Sequence, residues 1–337
     1  MSLTWMPCLV RSSEPDVVPV QLGDEVIDAY LRFVWARVRR NTLLAVAFDL
    51  KVFFTAVGKP AGDVTVRDVL GFIETQRRSL RGGNVVRLED GEAGLSARTI
   101  RRRLSSLAGL FDYLVALEVI AKSPVPRGLG TRSGRRRGVP LIRSPRTLPR
   151  VLNPEEVDVL VAALRTWRDR AMVLAMLLGG LRRCEVLGLD LGDVNAGERR
   201  VFIAEGKGGH QRVTPISARF FEALARYLND ERPETSTGRV FVVLKGRRRG
   251  EPLSAAGLDE ILRGARRRGG LAHATCHELR HTCLTRLREA GMALEAVQAQ
   301  AGHRSIESTR IYLHLANGWL SDEYHRAIEA IDTGGRP

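Results

Sequence analysis

The sequence predicts a mainly α-helical protein with one small antiparallel sheet, an α+β fold built as two domains. Apolar residues recur at helical spacing in both halves of the 337-residue chain. One stretch of the second half alternates with a period of two around a glycine-rich tip, as in a β-hairpin. Between the halves, a segment rich in Pro, Gly, Ser and Arg lacks apolar periodicity, which indicates a linker.

The predicted first domain spans residues 23–122 and follows a polar N-terminal extension of residues 1–22. Apolar residues at helical spacing predict two helices that end near Gly58. A third helix is predicted over residues 66–79, and a glycine-rich acidic loop then leads to a fourth. These elements indicate an N-terminal helical bundle.

The fourth helix carries one apolar stripe and one basic face. The stripe consists of Ile100, Leu104, Leu107, Phe111 and Leu114. The other side projects Arg98, Arg101 and Arg102, so one side can pack while the other meets phosphate. These three arginines are therefore candidate DNA-binding residues. An ordinary solvated helix face is the alternative interpretation.

Residues 123–150 form the predicted basic linker, which contains five prolines and could follow a DNA duplex or serve as an inert spacer. The predicted second domain, residues 151–316, opens with Asn153 as a helix N-cap and Pro154 at the first helical position. The helix predicted at residues 169–178 is apolar almost all round, so we expect it to be central.

A double glycine ends this central helix, and Arg182 follows at the element boundary, where it can project into a cleft. Glu185, one turn later, could hold Arg182 through a charge-assisted hydrogen bond. A surface ion pair of little energetic value is the alternative interpretation for the two residues.

The predicted hairpin comes next, with Lys207 on its glycine-rich tip. Its strands are marked by Val201, Ile203, Val213 and Ile216. A lone lysine in a turn is usually solvated, so the role of Lys207 depends on what surrounds it.

Residues 276–282, Cys-His-Glu-Leu-Arg-His-Thr, fit the H-E-x-x-H pattern of zinc proteases. On a helix, His277 and His281 would lie one turn apart on the same face. Arg280 shares that face, and at about 5 Å and an effective dielectric of about 20 it would repel a dication by roughly 6 kcal/mol. A histidine and an arginine that converge on one point suit an anion better than a metal.

The amino-acid composition indicates which anion this site would bind. The formal net charge is +15, and the arginines occur in short clusters along the chain, which favours nucleic acid as the partner. No apolar run is long enough to span a membrane, and the N-terminus lacks the pattern of a signal sequence. Four irregularly spaced cysteines are typical of a reducing compartment. We therefore expect a cytoplasmic protein without a membrane partner.

Five short motifs follow one another through residues 150–316. They are Leu181-Arg182-x-x-Glu185, Gly206-Lys207-Gly208, His277-x-Leu279-Arg280-His281-Thr282, Gly302-His303 and Thr309-x-Ile311-Tyr312-x-His314. In order and spacing they resemble the catalytic motifs of the tyrosine recombinases, also called phage-type integrases. The helical first half resembles the SAM-like core-binding domain of that family. Departures are small: Cys276 stands where many relatives have proline or another small residue, and Ala301 stands where leucine is common.

The resemblance implies a site-specific DNA recombinase that needs no metal, ATP or other cofactor. Arg182 and Arg280 would bind the non-bridging oxygens of one phosphate, with Glu185 orienting Arg182. Tyr312 would be the nucleophile and form a 3'-phosphotyrosyl link that keeps the bond energy for rejoining.

The remaining catalytic residues would move protons. Lys207 would protonate the departing 5'-oxygen, and His277 would accept or shuttle the proton of the tyrosine. His303 would donate a hydrogen bond to the phosphate. His281 and His314 are expected to be structural.

The resemblance also implies the partners: a double-stranded DNA recombination site and a homotetramer on two duplexes, alone or with related recombinases, that passes through a Holliday junction. Residues 317–337 would form a tail helix that packs on a neighbouring protomer or on its own domain. The sequence does not decide between chromosome-dimer resolution and a mobile element, although we prefer integration or transposition of a mobile element, with the protein at the nucleoid. A zinc metalloprotease and a catalytically silent DNA-binding protein are the alternatives.

Overall fold

A computed structural model describes residues 6–12, 18–77, 94–126, 142, 149–204 and 211–303, together with 306, 309, 312, 324, 325, 328 and 329. The chain divides into two compact units, Met1–Arg146 and Thr147–Pro337. Both are mainly helical with small antiparallel sheets, so the predicted fold class is confirmed. Within the described ranges, no helix is long and apolar enough to cross a membrane.

Among its described residues, the first unit contains a two-stranded sheet and four α-helices. These are β1 Val10–Arg11, β2 Val20–Gln21, α1 Glu25–Trp35, α2 Arg40–Val57, α3 Val66–Arg77 and α4 Ala97–Ala116. The helices agree with the sequence prediction as far as they are described. The strand pair was not predicted, because two residues are too few to show an alternating pattern. It contributes Val20 to the core of this unit, ahead of the predicted domain start.

The core of the first unit centres on Phe53 of α2. Its ring meets the edges of Phe54 and Phe72 at centroid distances of 5.1 Å, an arrangement that aromatic pairs favour. The predicted apolar stripe of α4 is buried against α2, as Phe111 illustrates with no exposed area. The basic face of α4 is thereby directed away from the core.

The second unit contains seven α-helices and three strands among the residues described. They are α5 Pro154–Ala162, α6 Trp167–Gly179, α7 Arg183–Leu187, β3 Val194–Asn195, β4 Arg200–Ile203, β5 Arg212–Pro215, α8 Ala218–Arg226, α9 Ala255–Gly269, α10 Cys276–Glu289 and α11 Leu294–Ala301. The predicted N-cap of α5 is confirmed, since Oδ1 of Asn153 accepts the backbone N–H of Glu156 at 2.7 Å.

Helix α6 is the central element of this unit, as its apolar sequence predicted. It packs between α8 and α10, and Met172, Val173 and Met176 have no exposed area. Helix α6 ends at Gly180, which has a left-handed φ of 66° that favours glycine. The chain therefore changes direction at this glycine, and Arg182 lies at the start of α7.

The three strands form an antiparallel sheet in the order β3-β4-β5. In the β4–β5 pair, Val201 lies opposite Thr214 and Ile203 opposite Arg212. The two predicted strands of the hairpin are thus present and paired with each other. Residues 205–210, which include Lys207, lie outside the described residues. Arg212 is the first residue of β5 and faces the start of α7 through its side chain contacts.

Candidate active site

The site in the second unit is built where α6 ends, α7 begins and α10 and α11 pack together. Arg182, just before α7, donates from Nη1 to Oε1 of Glu185 at 2.7 Å and from Nη2 to the carbonyl of Gly302 at 3.1 Å. The contact that the sequence suggested between Arg182 and Glu185 is therefore present. Since the Arg182 side chain is still 18% exposed, it can meet a ligand in the cleft.

Glu185 is shared between two arginines. Arg212 of β5 binds both of its carboxylate oxygens, with Nη1–Oε1 and Nη2–Oε2 distances of 2.9 and 2.8 Å. The backbone N–H of Arg182 adds a bond of 2.8 Å. Burial alone would raise the pKa of Glu185, but the hydrogen bonds from Arg212 and from the Arg182 backbone outweigh it and lower the pKa to about 2. Glu185 is therefore ionised at neutral pH.

Arg280 of α10 is buried and held by main-chain carbonyls. Nη1 donates to the carbonyl of Gly180, and Nη2 donates to the carbonyl of Ala301 at 2.6 Å. These carbonyls lie at the C-terminal ends of α6 and α11, where the helix dipole is negative. Burial and the nearby charge of Arg182 lower the pKa of Arg280 to about 10, so it remains a cation at neutral pH.

His303 lies directly beside Arg280. Its Nε2 is 3.1 Å from Nη2 of Arg280, and its Nδ1 is 3.0 Å from Oγ1 of Thr309. Because a guanidinium only donates, Nε2 accepts from Arg280 and Nδ1 carries the proton toward Thr309. Burial, followed by the charge of Arg280, lowers the pKa of His303 to about 4. The imidazole is therefore neutral at pH 7.

Tyr312 is buried against two histidines. Its hydroxyl lies 2.9 Å from Nδ1 of His281, and its ring is nearly parallel to that of His303 at a centroid distance of 6.3 Å. Burial raises the pKa of Tyr312 to about 12 and lowers that of His281 to about 4. A protonated phenol thus faces a neutral imidazole. This contact of His281 was not predicted from the sequence.

The H-E-x-x-H pattern of α10 is accounted for by a helix cap and a histidine pair. Glu278 accepts the backbone N–H of Thr275 at 2.7 Å, and Oγ1 of Thr275 accepts that of Glu278 at 3.3 Å, which is a capping box. The rings of His277 and His281 meet edge to face at a centroid distance of 4.3 Å. Nδ1 of His281 is directed to Tyr312.

An open cleft of about 670 Å³ lies in front of the two arginines. Its lining includes five arginines and a histidine: Arg182, Arg183, Arg263, Arg266, Arg280 and His277. Such a lining attracts an anion and repels a cation. The lining is chemically suited to bind a phosphate, and Tyr312 is buried nearby, next to His303 and His281.

The other candidates lie elsewhere or outside the description. Lys207 is not among the described residues. Arg98 and Arg101 are exposed on α4 of the first unit. Arg102 is half exposed, and its Nη1 bonds the fully buried carboxylate of Asp49 at 2.6 Å, so it also serves the fold of its own unit.

Comparisons with known proteins concern the family and the fold of this chain. The model of the phage integrase family matches residues 150–318. The tyrosine recombinase XerC of Actinobacillus pleuropneumoniae is 31% identical over 247 residues, which cover 71% of this chain and 75% of its own. XerC of Roseiflexus castenholzii is 30% identical over 313 residues, with coverages of 87% and 89%. The solved Tn1549 transposon integrase in complex with transposon right end DNA shares the fold, with a TM-score of 0.64, 19% identity and coverages of 85% and 94%.

Proposed function

We infer that this chain, which belongs to the phage integrase family and is a tyrosine-type site-specific DNA recombinase, uses Tyr312 to cut and rejoin DNA. The observation that carries the proposal is that Arg182 and Arg280 line one cleft of the second unit, while His303 contacts Arg280 and its ring lies nearly parallel to that of the buried Tyr312. Each group suits a step of phosphoryl transfer that requires no metal ion.

The two arginines would hold the scissile phosphate. Arg182 and Arg280 are both cationic at neutral pH, and each can present paired N–H donors to non-bridging oxygens. Fixed donors of this kind stabilise the charge that develops on the phosphate in the transition state. Their anchoring at Gly302, Gly180 and Ala301 orients them before DNA arrives.

Tyr312 would attack the phosphorus atom. A bond forms from the phenol oxygen to phosphorus, and the bond from phosphorus to the 5'-oxygen breaks, which leaves a 3'-phosphotyrosyl link. The phenol proton would pass to His281 at 2.9 Å, with His277 relaying it toward the cleft. Lys207 would give a proton to the departing 5'-oxygen. The reverse steps rejoin the strand.

His303 would complete the phosphate site. In the free protein its Nε2 accepts from Arg280. An anion in the cleft favours protonation of that nitrogen, because a nearby negative charge raises the pKa of an imidazole. Protonated Nε2 would then donate a hydrogen bond to a phosphate oxygen.

The partner would be a double-stranded recombination site. The basic face of α4, with Arg98 and Arg101, would bind phosphates of the same duplex. We propose that four copies act on two duplexes through a Holliday junction, with residues 317–337 as a contact between protomers. Because its substrate is DNA, the protein would act at the nucleoid in the cytoplasm.

The test uses a DNA duplex nicked close to the cleavage position, which traps the covalent intermediate. Wild type is expected to give a slow-migrating protein–DNA adduct that persists in EDTA, whereas Tyr312→Phe binds the same DNA without forming an adduct. Equal amounts of adduct with both proteins would mean that a residue other than Tyr312 is the nucleophile. An adduct that disappears on chelation would indicate metal chemistry, and tight binding without any adduct would indicate a silent DNA-binding protein.

The choice of DNA also separates the two biological roles. Ends of the mobile element that carries this chain's coding sequence are expected to give the adduct, in line with a role in integration or transposition. Adduct formation only on the chromosome-dimer resolution site of the same genome would instead assign the chain to chromosome maintenance.

A further inference from the structure

We propose that Arg212 is a positioning residue for strand cleavage: by sharing Glu185, it fixes Arg182 and leaves the positive charge of Arg182 available to the phosphate. The inference rests on the proposed function, in which Arg182 binds the reacting phosphate. Arg212 lies outside the five motifs that the sequence analysis singled out.

Arg212 is the better-placed partner of the carboxylate. It makes two parallel bonds to Glu185, of 2.9 and 2.8 Å, whereas the side chain of Arg182 makes one of 2.7 Å. The side chain of Arg212 is 12% exposed and that of Glu185 is fully buried. A buried bidentate pair has strict geometry, so it can serve as a fixed support for Arg182.

Charge gives Arg212 a second effect. Glu185 and Arg182 alone would form a neutral pair, and the carboxylate would cancel much of the attraction that Arg182 exerts on a phosphate. With Arg212 the three side chains carry a net charge of +1, since two guanidinium groups face one ionised carboxylate. The effect is strong because interactions between charges weaken less in a buried site than in water.

Arg212 also lies against the turn that precedes His303. A Cβ atom added to Gly302 would lie 2.9 Å from Nη1 and 3.1 Å from Cδ of Arg212. The carbonyl of Gly302 is the second acceptor of Arg182. A displaced Arg212 would therefore disturb Arg182 from two sides and would reach His303 as well.

A purely structural ion pair would have the same contacts, but it predicts a different pattern of kinetics. If Arg212 only stabilised the fold, its loss would lower the free energy of unfolding without changing the cleavage rate of the folded protein. If Arg212 bound DNA directly, its loss would raise the DNA concentration needed for half-saturation. A positioning residue changes the rate at saturating DNA.

The experiment measures single-turnover formation of the Tyr312 adduct on nicked DNA over a range of DNA concentrations. In Arg212→Gln we expect the rate at saturation to fall about 30-fold, while the half-saturating DNA concentration changes less than about threefold. The adduct rate of Arg212→Lys should lie between those of wild type and Arg212→Gln, because lysine keeps the positive charge but lacks the planar guanidinium group.

The double variant Arg212→Gln/Glu185→Gln provides the sharpest comparison. Removing the charge of Glu185 should release Arg182, so the double variant is expected to form adduct about threefold or more faster than Arg212→Gln alone. The matched control is Arg200→Gln: Arg200 lies on the neighbouring β4, half exposed and paired with Glu198 at the surface. Its adduct rate should equal that of wild type.

The inference is overturned if Arg212→Gln forms adduct at the wild-type rate, or if only its half-saturating DNA concentration changes. It is also overturned if the rate losses of the two substitutions add up in the double variant. If Arg212→Gln does not fold, Arg212→Lys with and without Glu185→Gln makes the same comparison. Failure of the proposed function looks different, because wild type itself would then form no adduct.

Discussion

Tyr312 and His281 form a pair poised for proton transfer but inactive at rest. The pKa of Tyr312 is raised to about 12 and that of His281 is lowered to about 4, so the proton stays on the phenol oxygen at neutral pH. If Tyr312 is the nucleophile, as proposed, transfer would become favourable once the oxygen bonds to phosphorus and a phosphate charge stabilises the imidazolium. In that mechanism, DNA binding and activation of the Tyr312 hydroxyl would be coupled through this pair of residues.

Glu278 allows a test of the interpretation of the H-E-x-x-H pattern. We expect Glu278→Gln to keep the adduct rate within about threefold and the free energy of unfolding within about 0.5 kcal/mol, because an amide oxygen still accepts the N–H of Thr275. Adduct assays and urea unfolding measure the two quantities. Glu278→Ala removes the acceptor and should lower the free energy of unfolding by about 1 kcal/mol. A rate loss of about 10³-fold in Glu278→Gln would instead make Glu278 a catalytic group.

The motifs singled out Arg182, Arg280, His303 and Tyr312, which the structure brings into one region, but the sequence did not predict their long-range contacts. The Arg182–Glu185 contact spans one helical turn and follows from spacing. Arg212 and Glu185 are 27 residues apart, and Tyr312 and His281 are 31 residues apart. An arginine at a strand start normally faces solvent, so nothing in the sequence identified Arg212 as a partner of Glu185.

At the scale of elements, long periodic helices were predictable and short elements were not. The apolar stripe of α4 and the largely apolar sequence of α6 each span several turns, so the sequence alone predicts both helices. The strands β1, β2 and β3 have two residues each, and they exist because a neighbour pairs with them. Tertiary contacts therefore determine the elements that local pattern cannot.

The end of α11 offers a prediction about backbone geometry. Gly302 has a φ of 59°, and an added Cβ would lie 2.9 Å from Arg212. We expect Gly302→Ala to lower the free energy of unfolding by about 1–2 kcal/mol because of the left-handed φ. In addition, the adduct rate should fall at least about tenfold, because the methyl group displaces Arg212.

Gly270 is the matched control for this prediction. It caps α9 with a φ of 63° and has no atom within 4 Å of an added Cβ. Gly270→Ala should lower the free energy of unfolding by a similar amount and leave the adduct rate unchanged. Equal rate losses in both variants would show that the steric contact with Arg212 is unimportant.

At the scale of the whole molecule, the net charge of +15 should make DNA binding strongly dependent on salt. If Arg98 and Arg101 bind phosphates, each substitution to Gln should reduce the slope of log affinity against log salt by about 0.9. Fluorescence anisotropy at several salt concentrations measures this slope. Unchanged slopes would exclude α4 from the DNA contact.

Arg102 should behave differently from its two neighbours. Because its guanidinium bonds the buried carboxylate of Asp49, Arg102→Gln is expected to lower the free energy of unfolding of the first unit, whereas Arg98→Gln and Arg101→Gln leave it unchanged. Thermal unfolding of the three variants makes the comparison. Equal stability in all three variants would mean that the contacts of Asp49 with Ser106 and Arg103 are enough to stabilise its buried carboxylate.

The main-chain carbonyls that anchor Arg280 have a consequence for how this protein can evolve. A peptide oxygen is the same whichever amino acid supplies it, so the bond from Arg280 constrains the backbone at position 301, while the side chain there is limited by its burial among apolar residues. The same holds for the anchor at residue 180 only while its left-handed backbone is preserved. A library of random variants should therefore accept other apolar residues at position 301 but retain Gly180 and Gly302, the two glycines that end the helices.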